Sequence, residues 1–253
     1  MKEIIAIINQ KGGVGKSTTT HMIGAGLIQK GFKVLYIDLD SQGNLSYTLK
    51  TEPNKYSTFD ILDKNATASQ AVQQTEQGYI IPASPELAGA DTIITSVGKE
   101  YRLKESLEQI YDAFDYILID TPPALGILTI NALTACTGVI IPSQADIYSL
   151  QGISQLYNTI QVVRKYCNQS LIIKGIVLTR YNSRAILTRD LTEIIENTAT
   201  KLNTKLYKTK IRENISIKEA QANQQSIFTY APKSNAAEDY IAFIEEILND
   251  GGK

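Results

Sequence analysis

The sequence predicts an α/β protein: a doubly wound, mostly parallel sheet with helices on both faces. Three observations carry that expectation. Short runs rich in Ile and Val are apolar at successive positions, as strands buried on both faces should be. Longer amphipathic stretches separate them, and such alternation implies parallel pairing through crossover helices. A glycine-rich turn also joins the first strand to the first helix. With 253 residues and 43% hydrophobic content, the chain can bury one large core without disulfides or metals. One domain over residues 1–253 is expected.

The first strand is "EIIAII" (3–8), followed by a helix over 16–30 with Gly31 as its C-cap. Further strands are read at 33–38, 78–83, 115–120, 137–143 and 171–179. Helices are read at about 99–112, 125–135, 149–166, 186–202 and 235–249. Residues 51–77, rich in Thr and Gln, show no period and read as an irregular surface elaboration. In the last helix Tyr240, Phe243, Ile244, Ile247 and Leu248 recur at spacings of three and four, a stripe suited to packing on the core.

Composition excludes several classes. Cys136 and Cys167 lie far apart and read as two reduced thiols, which points to the cytoplasm. His21 is the only histidine, and with no second His and no Cys pair neither a zinc site nor a Ser-His-Asp triad can be assembled; on a helix it reads as a packing or surface residue. No run approaches the length of a membrane span. The net charge of −1 hides an asymmetry. Residues 164–218 hold 12 Lys and Arg against 4 Asp and Glu, while the rest holds 13 against 22. A basic third in an acidic chain suggests a polyanion partner, unless its charges pair within the fold.

The stretch "NQKGGVGKSTTT" (9–20) follows a strand and opens a helix, the context a phosphate-binding loop needs. Gly12, Gly13 and Gly15 allow successive N–H groups to converge on phosphate oxygens around Val14. The positive end of the helix dipole adds to that anion site. Lys16 would reach the β- and γ-phosphates, the Ser17 hydroxyl would ligate Mg²⁺, and Thr18 can donate to the α-phosphate. Gln10 stands where the usual pattern has its first glycine, and Lys11 precedes the glycine pair.

"KGGVGKST" resembles the deviant Walker A motif of the ParA/MinD family of P-loop ATPases. "VLYIDLDSQGNLS" (34–46) resembles its second motif, with Ser41 where proline is commonest. "DYILIDTPP" (115–123) is similar to its Walker B strand, and residues 211–240 resemble the C-terminal block of small ParA/Soj partition ATPases. The resemblance implies ATP and Mg²⁺ as cofactors, weak intrinsic hydrolysis, and an ATP-dependent homodimer in which Lys11 reaches the partner's phosphates. It implies that Asp120 and Asp38 lie at the metal and that Asp40 positions the attacking water. Arg212 and Asn214 align with the family's adenine contacts, Arg212 replacing a proline. Arg184 sits where family members carry arginines that contact non-specific double-stranded DNA, and Arg180, Arg189 and Lys218 of the basic third are the next candidates.

Among relatives, iron–sulfur reductases need cysteine spacings absent here. Membrane-cycling MinD-like members end in a basic amphipathic helix, whereas "AAEDYIAFIEEILND" is acidic, so no membrane is expected. The reading is a nucleoid-associated DNA-partition ATPase released by a ParB-like partner, without a helix-turn-helix region. The alternatives are a MinD-like regulator and an ATPase positioning another cargo, such as a conjugation or chemosensory complex.

Overall fold

A computed structural model describes residues 2–53 and 55–250; Met1, Asn54 and residues 251–253 lie outside that part. Strand β1 (Glu3–Ile7) shows how the sequence builds two cores. Its side chains alternate, so Ile4 and Ala6 enter one apolar cluster while Ile5 and Ile7 enter another on the opposite face. β1 pairs in parallel with β5 (Tyr116–Asp120) on one side and β6 (Gly138–Ser143) on the other. β2 (Val34–Asp38), β4 (Gly78–Ile81), β7 (Ile172–Tyr181) and β8 (Leu206–Arg212) extend the parallel sheet, and β3 (Gln73–Thr75) adds an antiparallel edge to β4. The spatial order is β3-β4-β2-β5-β1-β6-β7-β8. From β1 the chain winds out to β2 and β4, returns to insert β5 beside β1, and then crosses β1 to β6, β7 and β8. The winding direction reverses around β1 and β5, so their carboxyl ends form the switch point where α/β sheets bind ligands.

Helix α1 (Lys16–Gln29) covers one face with α10 (Ile215–Ala222), α11 (Ile227–Tyr230) and α12 (Asn235–Asp250). The other face carries α6 (Arg102–Glu108), α7 (Ile127–Ala135), α8 (Ile147–Tyr166) and α9 (Ile186–Lys201). α1 ends as expected: Gly31 has φ +89°, its N–H meets the Ile28 carbonyl at 2.9 Å, and Phe32 N–H meets that of Leu27 at 3.1 Å. No helix among the described residues is long and apolar enough to cross a membrane.

α12 docks through the expected stripe, with Tyr240, Phe243, Ile244 and Ile247 buried and Leu248 half-buried. Burying each such side chain contributes about 1.5–3 kcal/mol, against roughly 0–1 for an exposed ion pair such as Lys30–Glu245. The apolar stripe therefore decides the docking, and the acidic face is left to pair with its surroundings.

Three expectations need correction. Residues 51–77 are ordered into α3 (Thr58–Leu62), α4 (Ala68–Ala71) and β3. Both short helices open with capping boxes, Ser57 with Asp60 and Thr67 with Gln70, a signal present in "STFD" and "TASQ". α2 (Asn44–Thr48) and α5 (Ala90–Ile93) are likewise too short to show a period. β8 was missed because an edge strand alternates polar and apolar residues and shows no apolar run. The basic third is partly neutralised: Lys174 pairs with Glu3 at 3.0 Å, Arg180 with Glu213 at 2.9 Å, Arg212 with Asp239 at 2.7 Å, and Lys205 with Asp250.

Candidate nucleotide site

The loop after β1 is pinned to neighbouring strand ends. Asn9 Nδ2 donates to the Pro142 carbonyl at 2.7 Å, Asn9 Oδ1 accepts from Lys11 N–H at 2.9 Å, and Thr179 Oγ1 donates to the Val14 carbonyl at 2.8 Å. Gly13 and Gly15 have φ of +75° and +85°, angles that side chains rarely adopt. Gly15 is the N-cap of α1 and supplies no capping side chain, so the N–H groups of the first turn face the loop without a side-chain partner. That arrangement suits an anion.

Register brings the acids together. Asp38 and Asp120 are paired Cα positions at the carboxyl ends of β2 and β5, and Ile7 lies opposite Asp120. Their environments differ. Asp38 accepts from Ser46 N–H at 2.9 Å, Ser46 Oγ at 2.7 Å and Asp40 N–H at 3.1 Å. Burial pushes its carboxyl up to about 6, against the opposing pull of those bonds. Asp120 is fully buried and neither carboxylate oxygen has a hydrogen-bond partner. Burial, then the nearby Asp38 charge, push it well above the usual carboxylate range, against the weaker pull of the Ser17 hydroxyl close by and of the Lys16 charge. A buried carboxylate with both oxygens unpartnered, beside Ser17 and the phosphate loop, fits a divalent cation. The Asp38 oxygens, expected at the metal, already brace Ser46 and the Asp40 backbone.

The two lysines of the loop diverge. Lys16 is buried; burial lowers its pKa, and the charges of Asp120 and then Asp40 oppose the shift. Lys11 is half-buried and turns away toward α8, where its Nζ lies 2.5 Å from Asp146 Oδ2 and 3.4 Å from Gln144 Oε1. Asp146 also caps α8, its Oδ1 accepting from Ser149 N–H at 2.9 Å. Sequence reasoning missed Asp146, although "ADIYS" carries an N-cap signal.

A cavity of about 670 Å³ opens above the loop, lined by Gly12, Gly13, Gly15, Lys16, Ser17, Thr18 and Asp40. Arg212, Asn214, Tyr47 and Gln221 lie along the rest of its wall. Arg212 reaches it only partly, because Asp239 holds its guanidinium at 2.7–3.1 Å. Asn214 uses its side-chain oxygen to cap α10, accepting from Ser216 N–H at 2.9 Å. The four candidate DNA contacts separate. Arg184 and Arg189 are exposed at the start of α9, whereas Arg180 and Lys218 line the cavity itself. Arg180 also has a left-handed φ of +49°, uncommon for a non-glycine residue. His21 is a packing residue, as read: it is buried and its Nε2 lies 2.9 Å from Gln77 Oε1.

An AAA-domain family model matches residues 2–173. The chain is 41% identical to the sporulation initiation inhibitor protein Soj of Bacillus subtilis, over 99% of this chain and all of Soj. It is 34% identical to the chromosome partitioning protein ParA of Myxococcus xanthus, over 97% and 87% of the two chains. Among solved structures, a Mycobacterium smegmatis protein described as cobyrinic acid a,c-diamide synthase with bound ADP and magnesium superposes at TM-score 0.83 and 33% identity, covering 98% of this chain and 95% of that one. A plasmid partition protein of Borrelia burgdorferi bound to AMPPNP superposes at 0.81 and 25%, covering 98% of each. With a P-loop at the switch point of a parallel sheet and full-length similarity to Soj and ParA, the chain belongs to the ParA/Soj family of P-loop ATPases.

Proposed function

We propose that this protein is a DNA-partition ATPase whose ATP-bound homodimer binds double-stranded DNA without sequence preference. ATP occupies the cavity above the loop, its phosphates met by the N–H groups of residues 12–18 and by Lys16. Ser17 and Asp120 would hold Mg²⁺, which would supply neutralisation of the phosphate charge. Asp40 lines the cavity and orients the attacking water by positioning rather than strong base catalysis; intrinsic hydrolysis is slow, and a ParB-like protein stimulates it and releases the dimer from the nucleoid.

The observation that carries this reading is the divergence of the two lysines. Lys16 lines the cavity of its own chain, whereas Lys11 turns away from it to pair with Asp146 at the start of α8. Such a lysine on a phosphate loop has no use for its own nucleotide but can serve one held by a second copy. The acidic, core-docked α12 argues against the MinD-like alternative, because its apolar face is already buried and its charge would be repelled by anionic lipid. Light scattering and mobility shifts with and without ATP test the proposal. ATP-dependent dimers that bind unrelated duplexes equally are expected; a monomer in saturating ATP, or ATP-independent DNA binding, would count against it.

A further inference from the structure

Three successive threonines open α1, and their hydroxyls are used differently. Thr20 Oγ1 donates back to the Lys16 carbonyl at 3.0 Å, and Thr19 Oγ1 lies 3.4 Å from Tyr240 Oη. Thr18 Oγ1 instead accepts from Gln221 Nε2 at 2.9 Å, across 203 residues of chain. A side-chain amide nitrogen can only donate, and a hydroxyl has one proton and two lone pairs. Accepting from Gln221 therefore leaves the Thr18 proton unspent, where a helical threonine would otherwise return it to the preceding turn. Both residues line the nucleotide cavity. Gln221 sits on α10, which packs on the core through Ala220 and the half-buried Ile217, so its amide is free to set the Thr18 hydroxyl without holding the helix in place.

We infer that Gln221 is a positioning residue for nucleotide binding: it holds the Thr18 hydroxyl as a donor aimed into the cavity, toward the α-phosphate. The inference rests on the proposed ATP site and adds a residue that the loop motif does not contain. Because ADP and ATP share the α-phosphate, Gln221 strengthens both equally. Residues acting at the γ-phosphate would separate them.

The test is calorimetric titration of the full-length protein with ADP and with a non-hydrolysable ATP analogue, both with Mg²⁺. Gln221→Met keeps the side-chain length and removes the donor; loss of one such hydrogen bond should weaken both nucleotides by about fivefold. Gln221→Glu should weaken both by more than about tenfold, because a carboxylate takes the Thr18 proton and repels the phosphate. The Thr18→Val/Gln221→Met pair should be no worse than Thr18→Val alone. Thermal midpoints without nucleotide, expected to match wild type, separate this from misfolding. Wild-type affinity in Gln221→Met, additive losses, or a loss confined to the ATP analogue would overturn the inference. Failure of the wild type to bind either nucleotide would instead overturn the site reading beneath it.

Discussion

Lys11 Nζ and Asp146 Oδ2 lie 2.5 Å apart, joining the phosphate loop to the first turn of α8. Asp146 therefore does two jobs, since its other oxygen caps that helix. Burial raises the Asp146 carboxyl, but Lys11 and the Ser149 N–H outweigh it and hold the group below its usual range. In the proposed dimer this contact competes with the partner's phosphates. Asp146→Asn keeps an N-cap side chain and removes the charge, so ATP-dependent dimers should form at protein concentrations up to about thirtyfold lower, because each of the two protomers gives up one half-exposed ion pair of up to about 1 kcal/mol. Sedimentation across a concentration series reads this directly; an unchanged midpoint sinks the competition.

Lys16→Ala and Lys11→Ala should fail differently. Removing Lys16 strips the buried charge from the phosphate site and should abolish nucleotide binding in a direct titration. Removing Lys11 should leave monomer binding measurable while ATP-dependent dimers disappear. Dimers of the Lys11 variant in light scattering would refute its bridging role.

Asp40 is buried beside the cavity, with Oδ1 accepting from Gln42 N–H at 3.1 Å. Asp40→Ala should reduce ATP turnover by about two orders of magnitude or more while binding persists. The variant should accumulate as an ATP-bound dimer on DNA. Loss of ATP binding itself would move Asp40 from water positioning to the metal.

Arg184→Glu should weaken binding to two unrelated duplexes equally and flatten the dependence of log affinity on log salt by about 0.9 per lost phosphate contact. Turnover by the protein alone should not change. Arg180→Ala, at a paired residue on the cavity wall, should instead alter nucleotide affinity; an effect of Arg180 on DNA alone would reverse that division.

His21 makes one of the opposing contributions to the pH dependence of stability; another comes from Asp38, whose raised carboxyl favours the folded state as pH falls below about 6. Burial lowers its pKa to about 4, and its Nδ1 has no partner to receive a second proton. The unfolded chain takes up that proton near 6.5, so the His21 contribution is lost as pH falls through the window from about 6.5 to 4. The full loss approaches about 3 kcal/mol. Thermal midpoints of wild type and His21→Gln across that range check it; parallel curves would remove His21 as the cause.

The local code was readable wherever a single chain segment carries its own physics. β1, α1 and the loop between them follow from apolar runs, a glycine pattern and a C-cap glycine, and each of these acts within a few residues. The amphipathic α12 declared its buried face by spacing alone. What needed tertiary structure was every choice made between distant segments. Nothing around Arg212 in the chain announces Asp239 as its partner, so a residue aligned with an adenine contact turned out to be clamped to α12. Asp38 and Asp120 have the same side chain at strand ends. Only the fold assigns Ser46 to one and leaves both oxygens of the other bare. Pairing of this kind depends on which strands neighbour one another in the sheet, and on the hydrogen bonds left over once each backbone is placed. Those quantities have no local signature, so Lys11 with Asp146 and Thr18 with Gln221 became visible only after folding brought them within reach.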